Sequence, residues 1–200
     1  MKKIVRIYKN SKSFENTLFV YLNDKTPTNV VDTDTVTTLF FDDEVIGYNI
    51  FGDDFNGYSD GYIRANKEII DRINMYLEKE SISIIDADLN NYIVVGELLE
   101  LEKIENTKLT KCQVDIKDKV IQVVCGAQNL AIGSRVAVAL PNSVVLGNLI
   151  KEGQLNGVDS FGMICSSYEL GLTKTKTKGT ILILDSKHSV GSNLEEVAYV

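Results

Sequence analysis

VIQVVCGAQNLAIGSRVAVALPNSVVLGNLIKEGQLNGVDSFGMICSSYELGL, residues 120–172, decides the fold, because short β-branched runs alternate there with turn residues and almost nothing has a helical period. Val120 to Cys125 is β by composition, and Gly126 ends it with a residue that tolerates backbone angles closed to β-branched side chains. Ser134 to Leu140 follows, with Val136, Val138 and Leu140 on one face, Arg135, Ala137 and Ala139 on the other, and Pro141-Asn142 as its stop. Val144 to Ile150 is expected as a third strand, interrupted at Gly147 by a bulge or tight bend. After a turn at Asn156-Gly157 and the run Phe161 to Cys165, Ser166 and Glu169 have the spacing of a capping box, which predicts a short helical turn.

Upstream, Thr110, Cys112, Val114 and Ile116 alternate with Lys111, Gln113 and Asp115, the pattern of a half-buried strand. With Tyr92 to Lys103 added, five strands fall within about eighty residues joined by tight connections, which predicts a small barrel of the OB-fold type. The strings IQVVCGAQN (Ile121 to Asn129), VALPNS (Val138 to Ser143) and LNGVDSFGMICSSYELGL (Leu155 to Leu172) closely resemble the tRNA-binding domain at the N-terminus of the bacterial phenylalanyl-tRNA synthetase β chain. The same domain occurs in methionyl-tRNA synthetase appendages and in stand-alone tRNA-binding proteins, and the resemblance covers about residues 90–172. One turn departs from the family pattern: Ile104-Glu105-Asn106-Thr107-Lys108 stands where a His-Pro-Asn-Ala-Asp type turn is common. The upstream stretch DTVTTLFFDDEVIGYNIF, residues 34–51, resembles the N-terminal domain of the YtpR-like family, stand-alone bacterial tRNA-binding proteins.

Composition bounds the rest. Two hundred residues, 44% of them hydrophobic, suffice for two small cores. No apolar run approaches membrane-span length and MKKIVRIYKN has no signal-peptide core, so a cytoplasmic location is expected. Cys112, Cys125 and Cys165 are odd in number and embedded in strand patterns, which reads as plain buried thiols rather than a disulfide or zinc framework. His188 lies far in sequence from any cysteine, which argues against a His-dependent triad.

Met1 to Leu89 reads as a small α+β domain, with a strand at Thr17 to Leu22 and a hairpin of Thr35 to Phe41 and Val45 to Phe51. Residues 52–61 are expected as a solvated loop, whose Asp53, Asp54 and Asp60 lack EF-hand spacing. Ala65, Ile69, Ile73 and Leu77 recur every four residues, so Asn66 to Lys79 is an amphipathic helix. The boundary is placed at Asp86 to Asn91, the barrel domain at residues 90–172, and residues 173–200 form an extension that packs on the barrel or at a homodimer interface.

A net charge of −7 opposes nucleic-acid binding, but it is unevenly spread. Residues 1–89 hold 16 acidic and 10 basic residues, net −6, leaving 12 and 11, net −1, for residues 90–200. An OB barrel offers one face and its rim loops to nucleic acid, with basic groups for backbone and polar groups for bases. The candidates are Lys108, Lys111, Gln113, Gln128, Asn129, Arg135, Lys151, Ser166, Ser167 and Lys174. Asn129 serves equally as a turn-maker, Arg135 as a solvent-facing charge, Ser166 as a helix cap, and Thr173 to Gly179, with its three alternate lysines, as a solvated linker. The resemblance implies a non-catalytic tRNA-binding protein that recognises folded RNA by shape. The alternative is a protein-interaction module that docks an aminoacyl-tRNA synthetase or another partner through the acidic domain. No nucleophile with a base, phosphate-binding glycine loop or metal cluster is legible, and no cofactor is expected.

Overall fold

The computed structural model describes residues 2–90 and 92–194. They fall into two compact units, Met1–Leu89 and Asn90–Val200. Asn91, within the expected boundary, and residues 195–200 of the expected extension lie outside the described residues.

In the first unit the strands are β1 (Arg6–Lys9), β2 (Thr17–Tyr21), β3 (Asn29–Asp32), β4 (Val36–Phe41), β5 (Glu44–Phe51) and β6 (Gly61–Ile63). They form one antiparallel sheet in the order β3-β4-β5-β2-β1-β6. β4 and β5 make the expected hairpin, and Asp42 turns it with φ 52°, left-handed backbone that aspartate tolerates better than most side chains. Helix α1 (Lys67–Lys79) begins where Asn66 accepts the Ile69 N–H on its Oδ1 at 3.0 Å. Its four-residue stripe, Ile69, Ile73 and Leu77, is wholly buried against Ile7, Leu18, Val20 and Ile50 on one face of the sheet. Residues 52–61 are not loop throughout: a single 3-10 turn, Asp53–Phe55, carries Phe55 into that core, and Gly61 opens β6. Burial of Lys9 beside it is compensated because its Nζ donates to the carbonyls of Phe55 and Tyr58 at 2.9 and 3.2 Å.

The second unit contains β7 (Ile93–Lys103), β8 (Thr110–Asp115), β9 (Val120–Cys125), β10 (Arg135–Ala139), β11 (Val144–Val145), β12 (Asn148–Leu149), β13 (Gly153–Leu155), β14 (Val158–Ser160), β15 (Met163–Ile164) and β16 (Ile183–Leu184). The main sheet runs β15-β10-β7-β8-β9. Strand pairing does not close it: β9 and the β14–β15 segment are joined by separate bonds, Phe161 N–H to Gln122 O at 2.8 Å, Gln122 Nε2 to Asp159 O at 2.7 Å and Val124 N–H to Ser160 Oγ at 3.1 Å. The expected strand Val144 to Ile150 is instead the two-plus-two hairpin β11–β12, because Leu146 and Gly147 both have positive φ, 47° and 82°. The fifth strand of the sheet is β15, two residues long.

β10 is buried on both faces. Val136 and Val138 join Leu98, Val114 and Val123 in one cluster, while Ala137 and Ala139 meet Val95, Val145, Cys165 and Leu194 in another. Its edge away from β7 is shared by two short strands, β15 at Val138–Ala139 and β16 at Arg135–Val136. Ile183 and Leu184, beyond residue 172, therefore belong to this sheet. Across the described residues the architecture is sheet with a single α-helix, and no helix is long and apolar enough to cross a membrane.

Candidate nucleic-acid interface

Three loops meet at one end of the second unit. The first is Gly126 to Asn129, leaving β9, and it is tied to the lysine-threonine segment by the Gln128 N–H to Gly179 O bond at 2.8 Å. Asn129 completes the tie with a two-bonded amide: its Nδ2 donates to Ile181 O and its Oδ1 accepts the Ile181 N–H, both at 2.9 Å. An asparagine side chain thus pairs with the main chain as a neighbouring strand would. The second loop is the predicted capping turn. Ser166 N–H and Oγ–H both donate to Glu169 Oε2 at 2.7 Å, and the Glu169 N–H returns to Ser166 Oγ at 3.3 Å. Only one turn follows, closed by Leu170 N–H to Ser166 O at 3.2 Å.

Between these loops lies a groove of about 390 Å³, lined by Gly126, Ala127, Ser166, Glu169, Lys176 and Lys178 among others. Lys174, Lys176 and Lys178 are all exposed, and Lys176 Nζ stands 5.9 Å above the Tyr168 ring. The third loop joins β7 to β8 and carries exposed Lys108; its neighbour Leu109 lies against Gly126. Lys108, Gln128, Asn129, Ser166, Ser167 and Lys174 thus belong to the loops that meet at this end. Lys176 and Lys178, absent from the ten candidates, belong to it too; the alternation of lysines was the available signal.

The other four candidates lie elsewhere. Lys111, on the outer face of β8, pairs with Glu102 of β7, and Gln113 beside it donates from Nε2 to Gln122 Oε1 at 3.3 Å. Lys151 is exposed in the connection after β12. Arg135 of β10 forms an ion pair with Glu97, directly opposite on β7, with the two side chains only 23% and 30% exposed. Its outer face is as the alternation predicted, but its charge is already engaged.

The cysteines sit inside the sheet. Burial pushes the thiols of Cys112 and Cys165 up to about 12, so they stay protonated at neutral pH, and Cys125 is raised by the same cause.

Residues 93–193 match the family described as "Putative tRNA binding domain". A Bdellovibrio bacteriovorus phenylalanine–tRNA ligase β subunit is 46% identical over 123 residues, covering 60% of this chain and 15% of that subunit. The corresponding Lactobacillus johnsonii subunit is 52% identical over 81 residues, covering 40% of this chain and 10% of its own. The chain therefore spans a small fraction of the ligase subunits it matches. A Bacillus subtilis protein described as "Putative tRNA-binding protein YtpR" is 33% identical over 155 residues, covering 74% of this chain and 76% of that protein.

Proposed function

The chain belongs to the tRNA-binding-domain family, and from that premise we propose that it is a non-catalytic tRNA-binding protein whose second unit grips folded RNA at the three-loop end. The observation that carries this reading is the groove beside the 126–129 loop and the capping turn, lined by Lys176 and Lys178, with exposed Lys174 on the same segment and exposed Lys108 on the loop whose Leu109 lies against Gly126. Four exposed ammonium groups on neighbouring loops suit phosphates spaced along a backbone, while Gln128 is exposed and polar next to them. By contrast, Arg135 and Lys111 are ion-paired and contribute little to phosphate attraction.

We further propose that the unit is a barrel of the OB type, with the chain organised as residues 1–89, a barrel over 90–172, and an extension from residue 173 that packs on it. Support comes from the strand order β15-β10-β7-β8-β9, from the bonds linking β9 to residues 160–161, and from the pairing of β16 with β10. Recognition through shape is favoured over base stacking at this end, because of the 16 aromatic residues only Tyr92, Phe161, Tyr168 and Tyr199 lie beyond residue 89.

The test is a titration of unfractionated tRNA across salt concentrations, comparing wild type with Lys174→Ala/Lys176→Ala/Lys178→Ala. Each lost phosphate contact lowers the magnitude of the slope of log K against log salt by about 0.7–0.9, so the triple variant is expected to lose about two units of slope. Unchanged binding in the triple variant would refute this location of the site. No binding of tRNA by wild type at low salt would refute the function.

A further inference from the structure

The groove at the three-loop end has one carboxylate in its lining, Glu169, which shares the space with the ammonium groups of Lys176 and Lys178. Its position is fixed by the capping turn, where Oε2 accepts the Ser166 N–H and the Ser166 Oγ–H, both at 2.7 Å. Both bonds end on that one oxygen. Oε1 takes no hydrogen bond from any described residue, and no described ammonium forms an ion pair with the carboxylate. Burial is the main cause that raises the Cys125 and Cys165 thiols, and the charge of Glu169 adds to it in both, which sets the carboxylate toward the floor of the groove. Lys176 and Lys178 are exposed and, among the described residues, neither has a carboxylate partner; the Nζ of Lys176 has only the Tyr168 ring, 5.9 Å away.

An acceptor-only group in a groove that draws phosphate needs a ligand that also brings a donor. An ionised carboxylate accepts and cannot donate. The backbone of DNA offers acceptors alone, so against it Oε1 would be left unpaired and repelled by the very groups the lysines attract. RNA differs by one donor in every nucleotide, the ribose 2′-hydroxyl, which stands beside the phosphates on the same backbone. Base donors are the other source, but they lie within the stack of a folded RNA, and no aromatic side chain lines the groove to hold a base out of it. A basic peptide is disfavoured because it would meet two lysines against one carboxylate. The arrangement of two cations with a fixed anion below them thus matches a ribose flanked by phosphates.

We propose that Glu169 is the residue that makes this site specific for RNA: Oε1 accepts a hydrogen bond from a ribose 2′-hydroxyl while Lys176 and Lys178 hold the neighbouring phosphates. This rests on the placing of the RNA site at the lysine-lined end. Hydrogen bonds from a hydroxyl to an ionised oxygen are short and about twice as strong as neutral ones. Glu169 meets the ribose already held by its own turn, so little ordering cost falls on binding.

The experiment titrates the full chain at low salt with a tRNA transcript and with the same transcript made from 2′-fluoro nucleotides, which keep the phosphates and the ribose pucker but lack the 2′ donor. Wild type is expected to bind the 2′-fluoro transcript about 10- to 150-fold more weakly. Glu169→Gln keeps an oxygen for both Ser166 bonds, since glutamine serves a capping box as glutamate does, so the turn and the melting temperature are retained. In this variant the preference for the 2′-hydroxyl transcript should shrink to within about threefold. Its salt slope should stay as in wild type, because no phosphate contact is lost. Lys174→Ala/Lys176→Ala/Lys178→Ala weakens both transcripts alike and leaves the preference in place. Equal binding of the two transcripts by wild type, or a preference that Glu169→Gln leaves unchanged, would overturn the proposal. Binding of both transcripts that is indifferent to the triple lysine variant would instead remove the site itself, and this role with it.

Discussion

Asn129→Ala separates a structural clamp from an RNA contact. The wild-type amide makes two hydrogen bonds to the main chain of Ile181, and alanine removes both. At a net of about 0.5–1.5 kcal/mol for each bond, the 179–184 segment loses about 1–3 kcal/mol of its attachment. Two anchors remain, the Gln128 N–H to Gly179 O bond and the Leu182 N–H to Cys165 O bond at 2.9 Å, together with the β16–β10 pairing. Local opening of the segment, rather than global unfolding, is the expected result. Amide exchange at Ile181 and Leu182 should therefore accelerate about 5- to 150-fold, while exchange in β8 stays unchanged. Asn129→Asp keeps the acceptor for the Ile181 N–H and loses only the donor, so its effect should be about half as large in free energy. tRNA affinity should fall along with protection, because Lys174, Lys176 and Lys178 lie on the chain that leads into the clamped segment. If tRNA affinity falls while exchange at Ile181 and Leu182 is unaltered, Asn129 touches the RNA and the clamp argument is refuted.

Gly96→Ala would place a methyl 2.6 Å from Val114 Cγ1 and 2.7 Å from Val138 Cγ2, so overpacking should cost about 1–3 kcal/mol in denaturant melts, relieved in part by adding Val114→Ala. Arg135→Ala leaves the Glu97 carboxylate half-buried without its partner; stability should drop by about 1–3 kcal/mol with no change in the salt slope of tRNA binding, and a reduced slope would return Arg135 to the interface. Hydrogen bonds donated by Thr35, first from its Oγ1 at 2.5 Å, hold the Glu80 carboxyl below the usual glutamate range. A lowered folded value means stability that is present above the unfolded value of about 4.3 and lost as pH falls through the folded one. Melts of Glu80→Gln should accordingly be flatter than wild type below about pH 4.3, and equal acid slopes would refute the linkage.

Long, strongly patterned elements were legible from the residues. The four-residue stripe of α1 and the alternation of β8 each name the buried side directly, and both hold: Ile69, Ile73 and Leu77 are buried, as are Thr110, Cys112 and Val114. The capping turn was legible because Ser166 and Glu169 satisfy each other within four residues. What escaped was short or depended on a distant partner. RIYK, NVVD and GYI are too brief for a period to show, yet as β1, β3 and β6 they are half of the first sheet. Without β1 and β6, Tyr8, Tyr21 and Tyr62 could not be placed side by side, since they are neighbours only through register. Arg135 was placed on the correct face, but its engagement follows from the opposition of Arg135 to Glu97, which no local pattern reveals. Asn129 and Ile181 are likewise 52 residues apart in sequence.

Net charge is the weakest guide to this chain, because binding depends on where charges stand rather than on their sum. The second unit holds nearly equal numbers of acids and bases, but the structure sorts them. Glu97 and Glu102 lie on β7, where Arg135 and Lys111 neutralise them, and Glu169, which lines the groove, has its Oε2 engaged in capping its own turn. Carboxylates so engaged project little negative potential, whereas Lys108, Lys174, Lys176 and Lys178 remain exposed on the meeting loops. Within a screening length of about 8 Å at physiological salt, an approaching phosphate responds to the charges nearest it rather than to the sum over the chain. The same pairing operates in the first unit, where Arg6 is ion-paired with Asp24 and Lys25 with Glu44. An acidic chain can therefore present a lysine-lined end to RNA, and a steep salt dependence of tRNA binding is the measure of that sorting.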